Sequence, residues 1–398
     1  MSSKDYNVPV FMYHSIGVPN KLWQWNYLTC PYDRFEAQLE AIKELGLNTI
    51  SLNTLYEYMV NGKKLPENSI VLTFDDGYAD IWIYAYPLLK KFNMCGTVFI
   101  NPDFVDPRED NNELYKLDDK TEYLPKSGYL SWNEIIKMDK EHVIYSESHA
   151  LTHTWYPLSN KIIDFRNPMD SYTWMTWNKN SHLKYNLQID DNKLKPLGQP
   201  VYENGKSLMH SRYFQDENLD EYLQDFVEEE GGVSFFKQKH YKNILFKKMT
   251  EYKKLNTIND RYESQKEYEK RVRYELEFTK SVLEQKLNRE VTFLCWPGGS
   301  ATDVGMKIAT ELGYKFFNAA RDMNIQEREK IENTLFDGNR VKRLTPKIYF
   351  NGEENHNSKI VYANKFWMKL YILRFKNTLV SKVIFKIASI YGEVLHKR

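Results

Sequence analysis

Ile70-Val71-Leu72-Thr73-Phe74 reads as a short apolar strand, and Asp75-Asp76-Gly77 turns the chain at its end. A helix through Tyr86-Pro87-Leu88-Leu89 follows, and then the strand Gly96-Thr97-Val98-Phe99-Ile100. Upstream, Phe35, Leu39, Ile42 and Leu45 recur at helical steps, with Gly46 as a stop before the strand Asn48-Thr49-Ile50-Ser51-Leu52. Val8-Pro9-Val10-Phe11-Met12-Tyr13-His14 is a further apolar run, closed by Ser15-Ile16-Gly17. Strands alternating with helices at this spacing predict an α/β fold around a mostly parallel sheet, open or closed into a barrel.

Downstream, Ser131-Trp132-Asn133-Glu134 predicts a helix start and Val143-Ile144-Tyr145 a strand, followed by a loop or helix start carrying His149 and His153. From about Trp155 to Tyr252, Asn, Lys, Tyr and Trp are frequent and periodicity is weak, which reads as a large insertion on a barrel rim. Helical periodicity returns from Tyr268 to Leu287, feeds the strand Val291 to Trp296 and its Pro297-Gly298-Gly299 turn, and gives one more helix-strand unit from Val304 to Asn318. The expected organisation is a first barrel part at 1–155, an insertion at 156–252, a second barrel part at 253–350 and a basic helical tail at 351–398.

Lys+Arg 55 against Asp+Glu 54 leaves a formal net charge of +1, so no global field recruits nucleic acid and a small or neutral partner is expected. Cys30, Cys95 and Cys295 are scattered and lack C-x-x-C spacing, so reduced thiols are expected. The amino-terminal residues lack the basic-then-apolar profile of a secretory signal, which predicts a cytoplasmic protein. Between Lys365 and Ile390 six cations occur with no acidic residue, while Ile372, Phe375, Leu379, Val383, Ile387 and Ile390 form a helical stripe. Such a helix can lie on anionic lipid, giving peripheral membrane contact through residues 365–398, or it can pack on the barrel with its basic face solvated.

Two adjacent carboxylates at the end of a strand stand where parallel α/β folds display functional groups. Neighbouring side chains there point in different directions, so one of Asp75 and Asp76 can bind a metal while the other faces substrate; an ordinary Asp-Asp-Gly turn is the competing reading. His149-Ala150-Leu151-Thr152-His153 spaces two imidazoles four residues apart, within reach of one ion if the segment is helical. No Glu follows His149, so this is not the H-E-x-x-H arrangement and the base must come from elsewhere, with Asp75 available.

Thr73-Phe74-Asp75-Asp76-Gly77, Ser148-His149-Ala150-Leu151-Thr152-His153 and Trp296-Pro297-Gly298-Gly299, in that order, resemble the first three motifs of the polysaccharide deacetylase family, the NodB-homology domain of carbohydrate esterase family four. Met12-Tyr13-His14 further resembles its poly-N-acetylglucosamine deacetylase branch. The resemblance covers residues 8–155 and about 268–345, leaving the insertion and the tail outside it. It implies a distorted (β/α) barrel of the NodB-homology type. It also implies a divalent metal, usually zinc, on Asp76, His149 and His153, with Asp75 as base and a metal-bound water as nucleophile. By the same analogy His14 is the general acid for the departing nitrogen, and Gly298, Pro297 and Trp296 serve the oxyanion or substrate.

The third motif departs from the family's Arg-x-Pro-Tyr-Gly: Cys295 to Gly299 fill those places, so the Arg that orients the base and the groove-lining Tyr are both missing. Arg340 and Arg343, in Gly338-Asn339-Arg340-Val341-Lys342-Arg343, are the two candidates for the lost guanidinium. Trp155, Trp174 and Trp177 are placed to stack on a sugar, while the histidines outside the motifs show no ligand spacing. The expected activity is metal-dependent removal of an N-acetyl group from a sugar, with a nucleotide- or lipid-linked amino sugar preferred over a cell-wall polymer. The competing readings are hydrolysis of a small cyclic amide or imide, and a catalytically silent carbohydrate-binding barrel. The oligomeric state is not encoded in any motif.

Overall fold

The computed structural model describes residues 6–19, 25–116, 128–185, 194–299, 301–318, 332–334, 340–345, 365–375 and 379–395. Gly338, Asn339, Lys376, His356 and His396 therefore lie outside the described residues. The strands are β1 (Val10–Tyr13), β2 (Ser15–Gly17), β3 (Thr29–Pro31), β4 (Asn48–Thr49), β5 (Ser69–Phe74), β6 (Gly96–Ile100) and β7 (Ile144–Ser148). They continue with β8 (Trp155–Phe165), β9 (Pro200–Lys206), β10 (Tyr213–Phe214), β11 (Arg261–Tyr262), β12 (Phe293–Leu294), β13 (Phe316–Asn318) and β14 (Arg340–Val341).

The main sheet runs β1-β5-β6-β7-β12-β13-β14, with β4 also on β5, and its described pairs are parallel. Helices stand between β4 and β5, β5 and β6, β6 and β7, and β12 and β13, and return the chain to the same end, as parallel pairing demands. Every residue of β5 and β6 is buried, because helices cover the outer face and side chains fill the inner one. Past β14 the chain comes back to β1: Met12 N–H donates to the Leu344 carbonyl and Leu344 N–H to the Val10 carbonyl, each at 2.9 Å. That return curls the parallel sheet into a distorted barrel and brings the residues after β14 against the first strand.

Local chemistry explains the covering helices. Ser131 caps the helix Trp132–Lys140 through a capping box with Glu134, and Ser264 does the same with Glu267 for Gln265–Leu287. The helix Tyr32–Glu44 buries Phe35, Leu39 and Ile42 of the stripe its periodicity predicts, whereas Leu45 caps the helix and is exposed. Phe35 meets Tyr13 of β1 edge to face at 5.2 Å, linking this helix to the barrel core.

The insertion is more ordered than its weak periodicity predicts. It opens with the antiparallel hairpin β8–β9, then carries the helices Glu217–Glu229 and Tyr241–Leu255 and the pair β10–β11. Phe165, Leu219, Leu223, Val227, Phe235 and Leu245 form a separate small core. The apolar residues that build it come from four elements, β8, the helices Glu217–Glu229 and Tyr241–Leu255 and the short turn Gly232–Lys237 between them, so most of these elements supply only one residue to it.

The tail divides into two helices that behave differently. Lys365–Phe375 buries Trp367, Met368, Tyr371, Ile372 and Phe375 in the barrel core, and Lys369 pairs with Glu44 at 2.8 Å. On Leu379–Leu395, by contrast, Leu379, Val380 and Ile387 are 80%, 67% and 62% exposed. The stripe expected to run unbroken from Ile372 to Ile390 is thus buried up to Phe375 and open to solvent from Leu379.

Candidate active site

β5 delivers Asp75 and Asp76 to the carboxyl end of the sheet, the end at which parallel sheets hold functional groups. Asp76 sits at φ 72° and Gly77 at φ 73°, two consecutive left-handed residues that turn the chain sharply. Left-handed backbone is uncommon outside glycine and costs of order 1–3 kcal/mol, and such strain collects at functional sites. The turn separates the two carboxylates, as neighbouring side chains on a bending backbone require.

The imidazoles reach the same place from the end of β7. They do not lie on a helical turn: residues 149–154 form an irregular loop in which Ala150 and His153 take φ 56° and 42°. That loop, rather than helical i,i+4 geometry, makes the rings converge at 5.2 Å between centroids. Asp76 Oδ1 lies 3.2 Å from His149 Nε2 and 3.8 Å from His153 Nε2. His149 is oriented by its other nitrogen, with Nδ1 2.7 Å from the Cys295 carbonyl, an arrangement that leaves Nε2 facing Asp76. Asn101 Nδ2 holds the loop by donating to the Ala150 carbonyl at 3.1 Å.

One carboxylate and two imidazoles, with ligand atoms all within 4.8 Å of one another, suit a divalent ion with coordination positions left over. Burial opposes the charged form of Asp76, but the bond from His149 and the neighbouring histidines outweigh it and hold the carboxyl well below the usual range. Burial pushes His153 down to about 4, leaving the neutral ring that offers a lone pair. For His149 burial acts the same way, but Cys295 and Asp76 outweigh it and raise it; a cation in the cluster would displace that proton.

Asp75 is held apart from this cluster. Arg343 Nη1 donates to Asp75 Oδ1 at 2.7 Å and Nη2 to Oδ2 at 2.9 Å, a bidentate pair in which both side chains are buried. Burial raises the Asp75 carboxyl, yet the Arg343 charge and bonds more than offset this and keep it ionised, below the ordinary carboxylate range. Of the two arginines that could replace the missing guanidinium, the structure therefore selects Arg343. Cys295, standing where the family has Arg, accepts from Arg343 Nη2 at 3.0 Å. Asp75, His149 and Cys295 also satisfy the distances of a metal cluster, but the Arg343 guanidinium already supplies the positive charge there.

Both sets of residues open on a cleft of about 940 Å³, which His14, Trp155, Trp174, Trp177 and Gly298 also line. His14 Nδ1 is buried and has no hydrogen-bond partner among the described residues. Gly298 is exposed at φ 54°, and a Cβ there would lie 2.6 Å from Lys206 Nζ, which donates to the Gly298 carbonyl. Trp296 is wholly buried and forms part of the cleft wall, while Pro297 is buried and is not part of the lining.

Two contributors carried no signal in the sequence. Lys206 arrives from β9 in the insertion, and Tyr78, stacked on Tyr129 at 5.2 Å, bonds to Asp76. Tyrosine is too frequent here, at 29 residues, for any one to stand out.

Comparison with known proteins agrees with the motifs. The sequence profile described as polysaccharide deacetylase matches residues 62–192. YxkH of Bacillus subtilis (strain 168), a polysaccharide deacetylase by its name, is 34% identical over 99 residues, which cover 25% of this chain and 33% of that protein. The poly-beta-1,6-N-acetyl-D-glucosamine N-deacetylase of Escherichia coli (strain K12) is 25% identical over 113 residues, 28% of this chain and 16% of its own length. The protein of that name from Staphylococcus aureus (strain MSSA476) is 31% identical over 94 residues, 21% of this chain and 32% of its own length. The matches thus span a third or less of these relatives. Among solved structures, a de-N-acetylase from Aggregatibacter actinomycetemcomitans aligns with a TM-score of 0.52 at 17% identity, over 87% of this chain and 95% of the other, and shares the fold. With its three motifs gathered at one end of a curled parallel sheet, the chain is similar to the polysaccharide deacetylase family over residues 62–192 and has the fold of a solved de-N-acetylase.

Proposed function

We propose that this chain hydrolyses the N-acetyl group of an amino sugar in a polysaccharide or glycoconjugate, releasing acetate and leaving a free amine. The observation that carries the reading is the division of labour at the end of β5: Asp75 ionised on Arg343, and Asp76 turned away to His149 and His153. An ion held by Asp76, His149 and His153 would supply Lewis acidity to the acetamide carbonyl and the attacking water. Asp75 takes the proton of that water, which needs an ionised carboxylate in a dry site, and Arg343 maintains one. The Gly298 N–H faces the carbonyl oxygen as charge develops, and His14 gives a proton to the nitrogen as the C–N bond breaks. The relatives named for poly-N-acetylglucosamine deacetylation favour that class of substrate.

The decisive assay is acetate release from acetylated glucosamine oligomers and nucleotide-linked amino sugars by protein loaded with zinc, cobalt or manganese. Release is expected, with loss on chelation and recovery on adding the metal back. No acetate from any substrate by fully metal-loaded protein would sink the reading. His14→Ala is expected to lower turnover by about 10²-fold or more with bound metal unchanged, measured by initial rates and elemental analysis; loss of metal would instead make His14 a ligand.

For the tail, we propose contact with an anionic membrane surface through the helix Leu379–Leu395 alone. No described helix is long and apolar enough to cross a membrane. Exposed Lys382 and Lys386 stand beside the exposed apolar residues, whereas Lys365 and Lys369 of the preceding helix are paired with Glu40 and Glu44. Each free lysine contributes about 1 kcal/mol near anionic lipid. In flotation, the chain should rise with phosphatidylserine vesicles, and Val383→Ser with Ile387→Ser should abolish this. Dimers seen by light scattering, with no dependence on lipid charge, would assign the face to a second copy.

A further inference from the structure

The helix Gln265–Leu287 covers the barrel with a buried stripe of Tyr268, Val272, Leu276 and Leu283, and Glu275 stands on that stripe, only 3% exposed. A carboxylate is costly in such a slot, where an aliphatic residue would complete the apolar face. Burial pushes its carboxyl up to about 7, opposed by the Arg271 charge and by two bonds from one residue, Thr152. Thr152 Oγ1 donates to Glu275 Oε2 at 3.1 Å, and the Thr152 N–H donates to the same carboxyl group. Arg271 directs its guanidinium elsewhere, to Glu263 and to the carbonyls of Ser207 and His210.

Thr152 belongs to the loop at 149–154 on which the two imidazoles converge. Ala150 and His153 take left-handed backbone there, and such conformations persist only where the surroundings over-determine them. Each half of the loop has its own anchors. Asn101 on the Ala150 carbonyl and the Cys295 carbonyl on the ring of His149 hold the first half. Glu275 on Thr152, and the Ser207 N–H on the Thr154 carbonyl at 3.0 Å, hold the half that carries His153. Glu275 itself belongs to neither group of side chains that could share an ion among the described residues.

We infer that Glu275 is a positioning residue for the metal site: acting through Thr152, it fixes the loop in the conformation that aims His153 at Asp76. Its contribution is to affinity for a divalent cation, made from a helix on the outside of the barrel. Partners of this kind, one step removed from the ion, typically change metal affinity by about 10–100-fold. The inference rests on the metal site of the proposed function and not on the deacetylation step.

The test is the zinc affinity of the full chain, stripped of metal and titrated in competition with a chromophoric chelator. Glu275→Leu removes both acceptors and completes the apolar stripe. It should weaken zinc binding by about 10–100-fold without lowering the melting temperature of the metal-free chain. Glu275→Gln keeps an oxygen acceptor for Thr152 and should recover most of the affinity. Thr152→Val removes the hydroxyl half of the contact and should weaken zinc binding by about tenfold; combined with Glu275→Leu it should add nothing further. Cobalt in place of zinc gives a spectroscopic readout, and its visible absorption should change in Glu275→Leu as His153 shifts. Unchanged zinc affinity in Glu275→Leu, whether or not the melting temperature falls, overturns the inference and leaves Glu275 a structural residue. Should that variant not fold, Thr152→Val decides, and unchanged affinity there overturns the inference equally. A parent chain that binds no zinc overturns the metal site and the inference together. Tight zinc binding that depends on Glu275, with no acetate release, keeps the inference and overturns the deacetylase reading.

Discussion

Asp75→Asn is expected to reduce acetate release by about 10²–10⁴-fold with bound metal and thermal stability nearly unchanged. The side chain keeps its shape and can still accept from Arg343, but a carboxamide cannot take a proton from water. Asp75 lies outside the Asp76, His149 and His153 cluster, so the ion has no direct stake in it. Initial rates by enzymatic acetate detection, with elemental analysis on the same sample, check both halves of the statement. A variant that loses its metal along with its activity would place Asp75 among the ligands, and one that stays active would remove it as the base.

Arg343→Met should lower turnover strongly and move its pH dependence. Burial alone raises the Asp75 carboxyl, and Arg343 is the chief influence that brings it below the ordinary carboxylate range. Without the guanidinium the balance shifts back toward burial, so the acid limb of the kcat/KM profile moves to higher pH. The linked effect on stability has a definite sign. A carboxyl depressed in the folded state stabilises the protein above its unfolded pKa, and that contribution is lost as pH falls through the folded value. The variant's deficit should therefore be largest near neutral pH, at about 3–5 kcal/mol for one partner of a buried pair removed, and shrink on acidification. Urea unfolding at pH 7 and pH 4.5 measures it, alongside the rate profile. Arg343→Lys retains charge without the bidentate fork and should fall between. An acid limb that stays in place would separate Arg343 from the ionisation of the base.

Much of the barrel was legible because its evidence is local. A buried parallel strand shows itself as an apolar run, a covering helix as a stripe at helical spacing, and Ser131 marks a helix start by capping chemistry confined to four residues. The insertion was legible only as an interruption, since its small core draws on β8, two separate helices and the short turn Gly232–Lys237 between them. The tail periodicity was real, but burial is set by what lies opposite. The barrel covers Ile372 and Phe375, and no described element covers Leu379 or Ile387.

The side chains that gather as a candidate metal site could be named from the chain alone, because adjacent carboxylates and imidazoles four residues apart are short-range patterns whose chemistry is carried by residue type. How they converge was not: an amphipathic helical spacing and a loop with Ala150 and His153 left-handed look alike in one dimension. The partner of Asp75 stands 268 positions away. Two arginines three residues apart were equivalent until the return of the chain from β14 to β1 brought Arg343 against Asp75. Lys206 and Gly298, 92 positions apart, likewise become neighbours only once the insertion has folded against the end of the sheet. Residue type determines which chemistry a side chain can perform, whereas the long-range closure of backbone hydrogen bonds determines which other side chain it performs that chemistry with.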